Sequence, residues 1–142
     1  MERFKMISSG YVFFIKNGKI LLMRRKNTGY MDGHYGLPAG HIEEGETLSA
    51  GTCREMVEEV GIDLKEKNIE LAHVMHRKSN DIRIDFFFVA KKWKDTPKNN
   101  EPEKCDDLQW FDLDALPKNT IPYIKTAIEN YRSKIIFSEY GW

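Results

Sequence analysis

A short glutamate-rich segment carries the residues of this chain that are best suited to chemistry. Glu55, Glu58 and Glu59 stand at positions i, i+3 and i+4, so on an α-helix they cover an arc of about 100°. Like charges at this spacing repel each other by roughly 0.2–0.5 kcal/mol per pair, and a hard divalent cation with oxygen ligands relieves that repulsion. The spacing therefore predicts a helix with a metal-binding carboxylate cluster on one side.

The remainder of this helix must pack against a core. Its apolar residues fall on a different arc, namely Leu48, Cys53, Met56, Val57 and Val60. Glutamates on a lone helix more often form a solvated face, but the neighbouring sequence favours a site. Residues that punctuate the backbone bracket the segment, namely Pro38, Gly40, Gly45 and Gly61.

The spacing resembles the signature of the Nudix hydrolases, G-x5-E-x7-R-E-U-x-E-E-x-G-U, in which U is a bulky aliphatic residue. Every fixed position is matched, by Gly40, Glu46, Arg54, Glu55, Met56, Glu58, Glu59, Gly61 and Ile62. Nine constrained positions are far more specific than a lone glycine motif. Weaker similarity to the MutT-like nucleotide-hydrolysing members continues at residues 101–104 (EPEK), at Trp110-Phe111 and at residues 114–117. The resemblance thus covers essentially the whole chain.

The resemblance implies water attack on a phosphorus of a nucleoside diphosphate that is linked to another moiety. It implies that Glu55, Glu58 and Glu59 are catalytic metal ligands, with the backbone carbonyl of Ala39 as a further ligand. The expected ion is Mg²⁺, with Mn²⁺ as a substitute, because Mg²⁺ prefers oxygen ligands and keeps several waters. The remaining signature positions are expected to be structural, namely Gly40, Glu46, Arg54 and Gly61, with Glu46 as the suggested partner of Arg54.

Substrate contacts are expected from side chains outside the metal cluster. Strand alternation lets only one of Arg24 and Arg25 point toward the site, and Arg24 is favoured, with Arg77 and Lys104 as alternatives. His41 follows the signature glycine and is a candidate substrate contact. Trp110 could stack on a nucleobase, although core packing is the commoner role of an aromatic residue in a sheet.

A further acid is expected in the loop after the central strands, where many Nudix hydrolases supply a base or an additional ligand. Glu101 and Glu103 are two residues apart, so in an extended segment they would point the same way. Glu103, the second acid of the EPEK sequence, is the predicted catalytic residue.

Composition predicts one domain over residues 1–142 with no bulk electrostatic preference. The 22 basic and 22 acidic residues cancel, so we expect no polymeric nucleic acid as a partner. Apolar runs such as residues 86–90 are too short to span a bilayer, and the first ten residues lack the apolar core of a signal peptide. Cys53 and Cys105 are expected to be reduced thiols without a catalytic role, which suits the cytoplasm. A monomer or a homodimer is expected.

Hydrophobic periodicity predicts an α+β fold, and the resemblance implies the Nudix-type α/β/α sandwich with a mixed sheet between helices. Residues 10–25 are predicted to form a hairpin around Asn17-Gly18. Further strands are expected at residues 69–78, 82–93 and 108–113, with a polar loop at 95–107. The last helix is predicted to run from about residue 120 to 133, with Ile121, Ile124, Ile128 and Tyr131 as its buried stripe.

The favoured function is Mg²⁺-dependent hydrolysis of a nucleoside triphosphate, including damaged or non-standard ones, to the monophosphate and pyrophosphate. One alternative keeps the catalysis but changes the substrate to a sugar nucleotide, ADP-ribose or a dinucleotide, which in this family often goes with extra insertions or a swapped domain. Another alternative is a non-catalytic module that senses nucleotides, although such modules commonly lose signature glutamates. RNA decapping is disfavoured because no basic patch is evident in the sequence.

Overall fold

Two β-sheets and two α-helices organise the chain in a computed structural model that describes residues 1–142. The strands are β1 (Ile7–Phe13), β2 (Ile15–Lys16), β3 (Lys19–Arg25), β4 (Tyr35–Gly36), β5 (Ala39–His41), β6 (Ile69–Lys78), β7 (Ile82–Ala90), β8 (Cys105–Asp112) and β9 (Phe137–Tyr140). The helices are α1 (Leu48–Val60) and α2 (Pro122–Arg132), with a 3₁₀ turn at Glu66–Asn68.

The larger sheet is mixed and has five strands in the order β5-β1-β7-β6-β9. β1 runs parallel to β7 and β6 runs parallel to β9, while the other neighbours are antiparallel. In the smaller sheet, β3 pairs with β2, β4 and β8, always antiparallel. The expected α+β fold with a mixed sheet is therefore confirmed, with a second sheet added.

Alternation along β1 separates two buried layers. Tyr11 and Phe13 belong to the core cluster that contains the buried side chains of α2, whereas Val12 and Phe14 belong to the cluster that contains those of α1. Because successive side chains of a strand point to opposite faces, β1 is covered by a helix on each side. This arrangement is the predicted α/β/α sandwich.

The hairpin predicted over residues 10–25 is only partly correct. Asn17 and Gly18 have φ values of 53° and 75°, as a two-residue hairpin turn requires, but this turn joins β2 to β3. The chain leaves the larger sheet at Phe14, whose fully buried ring packs edge-on against Trp93. β1 therefore pairs with β5 and β7 rather than with β3.

Other boundaries follow the predictions with local differences. β6 covers the predicted residues 69–78, β7 ends three residues before the predicted 93, and β8 begins at Cys105, within the predicted loop. β9 was not predicted; it forms the edge of the larger sheet beside β6. In α2, Ile124 and Ile128 are buried, as expected.

Helix α1 begins and ends at well-defined caps. The Thr47 side chain accepts a hydrogen bond from the amide of Ala50, and Gly61 adopts the left-handed conformation with φ 67°. Met56 and Val60 are buried as predicted, but Val57 is 48% exposed, so the apolar arc is narrower than expected. Neither α1 nor α2 has the length and apolar character that crossing a membrane would require.

A small residue at position 10 is required where β1 crosses α1. A Cβ built on Gly10 would lie 1.9 Å from Thr52 Oγ1 and 3.1 Å from Thr52 Cβ. We expect Gly10→Ala to lower the free energy of unfolding by ~1–3 kcal/mol because the added methyl overpacks this contact, as measured by urea denaturation. Thr52→Ala in the same background should recover part of the loss, since it removes the nearer atom. Wild-type stability of Gly10→Ala would contradict this account.

Candidate active site

The signature loop and helix α1 meet at Gly40 in β5. A Cβ at this position would lie 2.1 Å from both Cγ and Cδ of Glu55. Only glycine therefore lets the strand approach the carboxylate this closely. The close approach places the Glu55 side chain directly against the backbone of β5.

Glu59 is attached to the same strand by a backbone hydrogen bond. The amide of Ala39 donates to Glu59 Oε1 at 2.9 Å. The pKa of Glu59 is raised to about 8, mainly by burial and also by the negative charges of Glu101 and Glu55, while the Ala39 amide and the Arg25 cation oppose the rise. The anion of Glu59 is therefore disfavoured in its present surroundings. A cation bound next to this carboxyl group would stabilise the anion.

Arg54 connects the loop to the helix with all five of its N–H groups. Its Nε and Nη2 donate to the two carboxylate oxygens of Glu46 at 3.0 and 2.7 Å. Nη1 donates to Glu55 Oε1 at 3.0 Å and to Glu58 Oε2 at 3.2 Å. The second N–H of Nη2 donates to the carbonyl of His41 at 3.2 Å. The suggested Arg54–Glu46 pair is thus observed, and it is bidentate.

The carboxyl groups bound by Arg54 differ in pKa because hydrogen bonds dominate at Glu46 and burial dominates at Glu55. The hydrogen bonds from Arg54 and from the amide of Glu43 lower the pKa of Glu46 to about 2. Burial raises the pKa of Glu55, although Arg54 opposes that rise. Glu46 is therefore a stable anion at neutral pH, whereas Glu55 and Glu59 are destabilised as anions by their surroundings.

The carboxylate donors suit a hard divalent cation, although they are not arranged around a common point. No three acidic, histidine or cysteine side chains converge in metal-ligand geometry, and Arg54 is bound to both Glu55 and Glu58. Glu59 nevertheless lies against Ala39 with Glu55 and Glu101 as charged neighbours. Oxygen donors concentrated in this way fit the requirements of Mg²⁺ or a similar ion.

The two arginines at the end of β3 have different surroundings. Arg24 donates to Asp106 at 2.7 Å and lies over the Tyr35 ring. The positive charge of Arg25 lowers the pKa of Glu59. The pairing of β3 with β8 shifts register between Arg24 and Arg25, so regular alternation does not apply to this pair, and the preference for Arg24 stays a prediction. The Nε of Arg25 donates to the carbonyl of Tyr30 at 2.7 Å.

The acid of the EPEK loop that lies near the cluster is Glu101 rather than Glu103. Glu101 is half-buried, and its negative charge raises the pKa values of both Glu55 and Glu59. Glu103, by contrast, is exposed. The segment is not extended, because the amides of Lys104 and Cys105 both donate to the Glu101 carbonyl in a tight turn. The two acids therefore do not point the same way.

Trp110 and His41, the remaining predicted substrate contacts, have different surroundings. Trp110 packs against the α1-side core and stacks on Trp93 with ring centroids 6.4 Å apart, so its placement favours core packing over stacking on a base. His41 is exposed beside the site, and its Nε2 lies 3.4 Å from Arg83 Nη1. Arg83 was not predicted as a site residue. Its only signal in the sequence is a charge within a mainly apolar strand that also contains Asp85.

Comparison with known proteins gives consistent results. The family profile described as "NUDIX domain" matches residues 6–131. An ADP-ribose pyrophosphatase of Methanocaldococcus jannaschii is 33% identical over 122 residues, which cover 84% of this chain and 69% of that protein. The 8-oxo-dGTP diphosphatase of Escherichia coli is 29% identical over 112 residues, covering 77% of this chain and 85% of that protein.

A longer relative and a solved structure are also similar to this chain. The NAD-capped RNA hydrolase NudC of Chromobacterium violaceum is 30% identical over 82% of this chain, which spans only 42% of that protein. The crystal structure of a MutT NUDIX hydrolase from Burkholderia pseudomallei superimposes with a TM-score of 0.81 at 27% identity. The superposition covers 88% of this chain and 97% of that one.

The Glu46–Arg54 pair predicts a specific dependence of stability on pH. At neutral pH we expect Glu46→Gln to lower the melting temperature, because Arg54 loses its bidentate anion. The pKa of Glu46 is about 2 when folded and near the ordinary 4.5 when unfolded, so its contribution is full above about pH 5 and disappears as the pH falls toward 2. The difference between variant and wild type should therefore shrink over that range, as followed by circular dichroism.

Glu44→Gln is the matched control, since Glu44 is an exposed glutamate of the same loop with no ion pair. It should leave the melting temperature unchanged at every pH. A Glu46→Gln variant as stable as wild type at pH 7 would contradict the structural role of the pair.

Proposed function

The chain belongs to the Nudix hydrolase family and is a pyrophosphohydrolase, and we propose that it converts nucleoside triphosphates to the monophosphate and pyrophosphate. The observation that carries this proposal is the set of signature carboxylates of α1 held against β5 by Gly40 and Ala39. The choice of triphosphates is supported by the likeness to an 8-oxo-dGTP diphosphatase over 85% of that protein's length. Damaged or non-standard triphosphates belong to the same substrate class.

We assign the metal-binding role to Glu55, Glu58 and Glu59, with the Ala39 carbonyl as a further ligand. Nudix hydrolases generally use a divalent metal, and Mg²⁺ suits these oxygen donors, with Mn²⁺ as a substitute. When bound, the cation would neutralise charge on the phosphates and polarise the attacking water. Glu58 is 55% exposed at its side chain, so it can exchange its contact with Arg54 for this role without repacking the core.

The remaining residues of the site orient the groups that react. We assign Glu101 to accept the proton of the attacking water or to complete the ligand set, because it is the loop acid whose charge reaches Glu55 and Glu59. Arg25 would contact a phosphate oxygen, which requires it to release the Tyr30 carbonyl. Arg54 has no N–H free for substrate, so it fixes the positions of the acids.

A second candidate substrate class is supported by one comparison. The relative named ADP-ribose pyrophosphatase is 33% identical over 84% of this chain, so a nucleoside diphosphate linked to a sugar is the alternative. It would use the same carboxylates, because the bond that is cleaved is again a phosphoric anhydride. A purely nucleotide-sensing module is not favoured, since every acid of the signature is present.

Product analysis separates the two substrate classes. We expect the purified protein with Mg²⁺ to convert a nucleoside triphosphate, such as 8-oxo-dGTP, to the monophosphate and pyrophosphate, measured by anion-exchange chromatography. Excess chelator should abolish turnover, and added Mg²⁺ or Mn²⁺ should restore it. Efficient cleavage of ADP-ribose or a sugar nucleotide with negligible triphosphate turnover would establish the alternative. Full activity in chelator would exclude the metal-dependent mechanism.

The two acids of the EPEK loop provide a matched pair of variants. We expect Glu101→Gln to lower the turnover number at least about tenfold, because a charged group is removed beside Glu59. Glu103→Gln should change it less than about twofold, since that side chain is exposed. Steady-state kinetics on the best substrate measures both variants. The reverse ranking would return the role to Glu103, and two near-wild-type variants would exclude this loop from catalysis.

A further inference from the structure

Arg83 of β7 lies beside the signature loop. It is near His41 because β5 and β7 flank β1, with Ser9 opposite His41 and Ile7 opposite Arg83. Arg83 Nη1 lies 3.4 Å from His41 Nε2, and because a guanidinium can only donate, the ring nitrogen is the acceptor. The His41 carbonyl is in turn bound by Arg54. Arg83 is therefore connected to the scaffold that positions the carboxylates.

Arg83 also retains donors that Arg54 does not. Its Nε and Nη2 donate to Asp81 at 2.7 and 3.3 Å. This pairing and the His41 contact leave one N–H of Nη1 and one of Nη2 without a protein acceptor. The Arg83 side chain is 25% exposed, so those donors are within reach of a solute. Arg54, by contrast, donates all five of its N–H groups to protein acceptors.

Electrostatic balance shows what such a donor is suited to bind. The acids on the α1 side, Glu55, Glu59 and Glu101, repel one another and would repel the phosphates of a substrate. A planar guanidinium with free N–H groups is suited to bind phosphate oxygens. Arg83 offers one free N–H on each terminal nitrogen, beside the residue that follows Gly40. A substrate with several phosphates carries negative charge outside the metal-binding cluster. A protein cation beside the cluster can balance that charge.

We propose that Arg83, which lies beside His41, binds a phosphate oxygen of the substrate at the β5 edge of the site. This inference rests on the proposed function, since it assumes a substrate with a phosphoric anhydride. Arg83 binds ground state and transition state alike, because its contact is with a phosphate and not with the attacking water. Its loss should consequently raise KM and leave kcat nearly unchanged.

The alternative role for Arg83 is purely structural, as the partner of Asp81 in the β6–β7 turn. The two roles predict opposite effects of Asp81→Asn. If Arg83 only stabilises the turn, substitution of Arg83 and substitution of Asp81 should change KM in the same way. If Arg83 binds phosphate, Asp81→Asn frees a cation for substrate, so KM should stay unchanged or fall.

The test compares Arg83→Gln, Arg83→Lys and Asp81→Asn in steady-state kinetics with the best substrate. We expect Arg83→Gln to raise KM about tenfold with kcat within about twofold, because one charge-assisted contact is lost. Arg83→Lys should recover part of the loss by restoring the charge. Calorimetry with a non-hydrolysable α,β-methylene triphosphate should show a matching rise of Kd for Arg83→Gln and none for Asp81→Asn.

Arg132→Gln is the matched control, because Arg132 also pairs with an aspartate, Asp114, at 2.7 Å but lies in α2. It should leave KM unchanged. The proposal is overturned if Arg83→Gln keeps a wild-type KM and Kd, or if Asp81→Asn raises KM as much as Arg83→Gln. Failure of the proposed function would look different: the wild-type protein would not hydrolyse triphosphates. The same variants would then be measured on ADP-ribose, with the same expected ranking.

Discussion

The guanidinium of Arg54 is the interaction on which the arrangement of the site depends. It binds Glu46 in the loop and both Glu55 and Glu58 in α1, and it also holds the carbonyl of His41 in β5. A half-buried arginine compensates for its own lost hydration only when such contacts have good geometry. Here every N–H is matched. One cation thereby fixes the loop, the helix and the strand relative to one another, while it also offsets the repulsion among the acids.

Glu59 is a carboxyl group of the site whose burial is unfavourable. Its pKa of about 8 means that folding places a carboxyl group where its anion is disfavoured, and only the amide of Ala39 and the more distant Arg25 oppose that effect. Groups with strongly perturbed pKa values cluster at functional sites. Met56 and Val60 of the same helix are fully buried in the core. This packing compensates for the unfavourable burial of Glu59.

Sheet topology explains why a local signal was misread at the N-terminal strands. Asn17-Gly18 predicts a hairpin turn, and the turn is present, but the partner of β1 is set by packing across the whole molecule. Val12 and Phe14 are needed in the α1-side core and Tyr11 and Phe13 in the α2-side core. Only a strand inside the larger sheet can serve both layers. β9 was not predicted for a related reason, because its pairing partners all lie in β6, which is distant in the sequence.

The sequence by itself determined the helix that carries the carboxylates and the glycines around it, because these depend on local spacing, and its likeness to the family signature suggested Glu46 as the partner of Arg54. Tertiary structure alone decided that the charge of Glu101 acts on Glu59 and that β3 shifts register between Arg24 and Arg25. The alternation of side chains along a strand does not say which face of the sheet a given residue occupies. Within a tight turn the alternation itself is lost. The contact between Arg83 and His41 arises only when β5 and β7 flank β1.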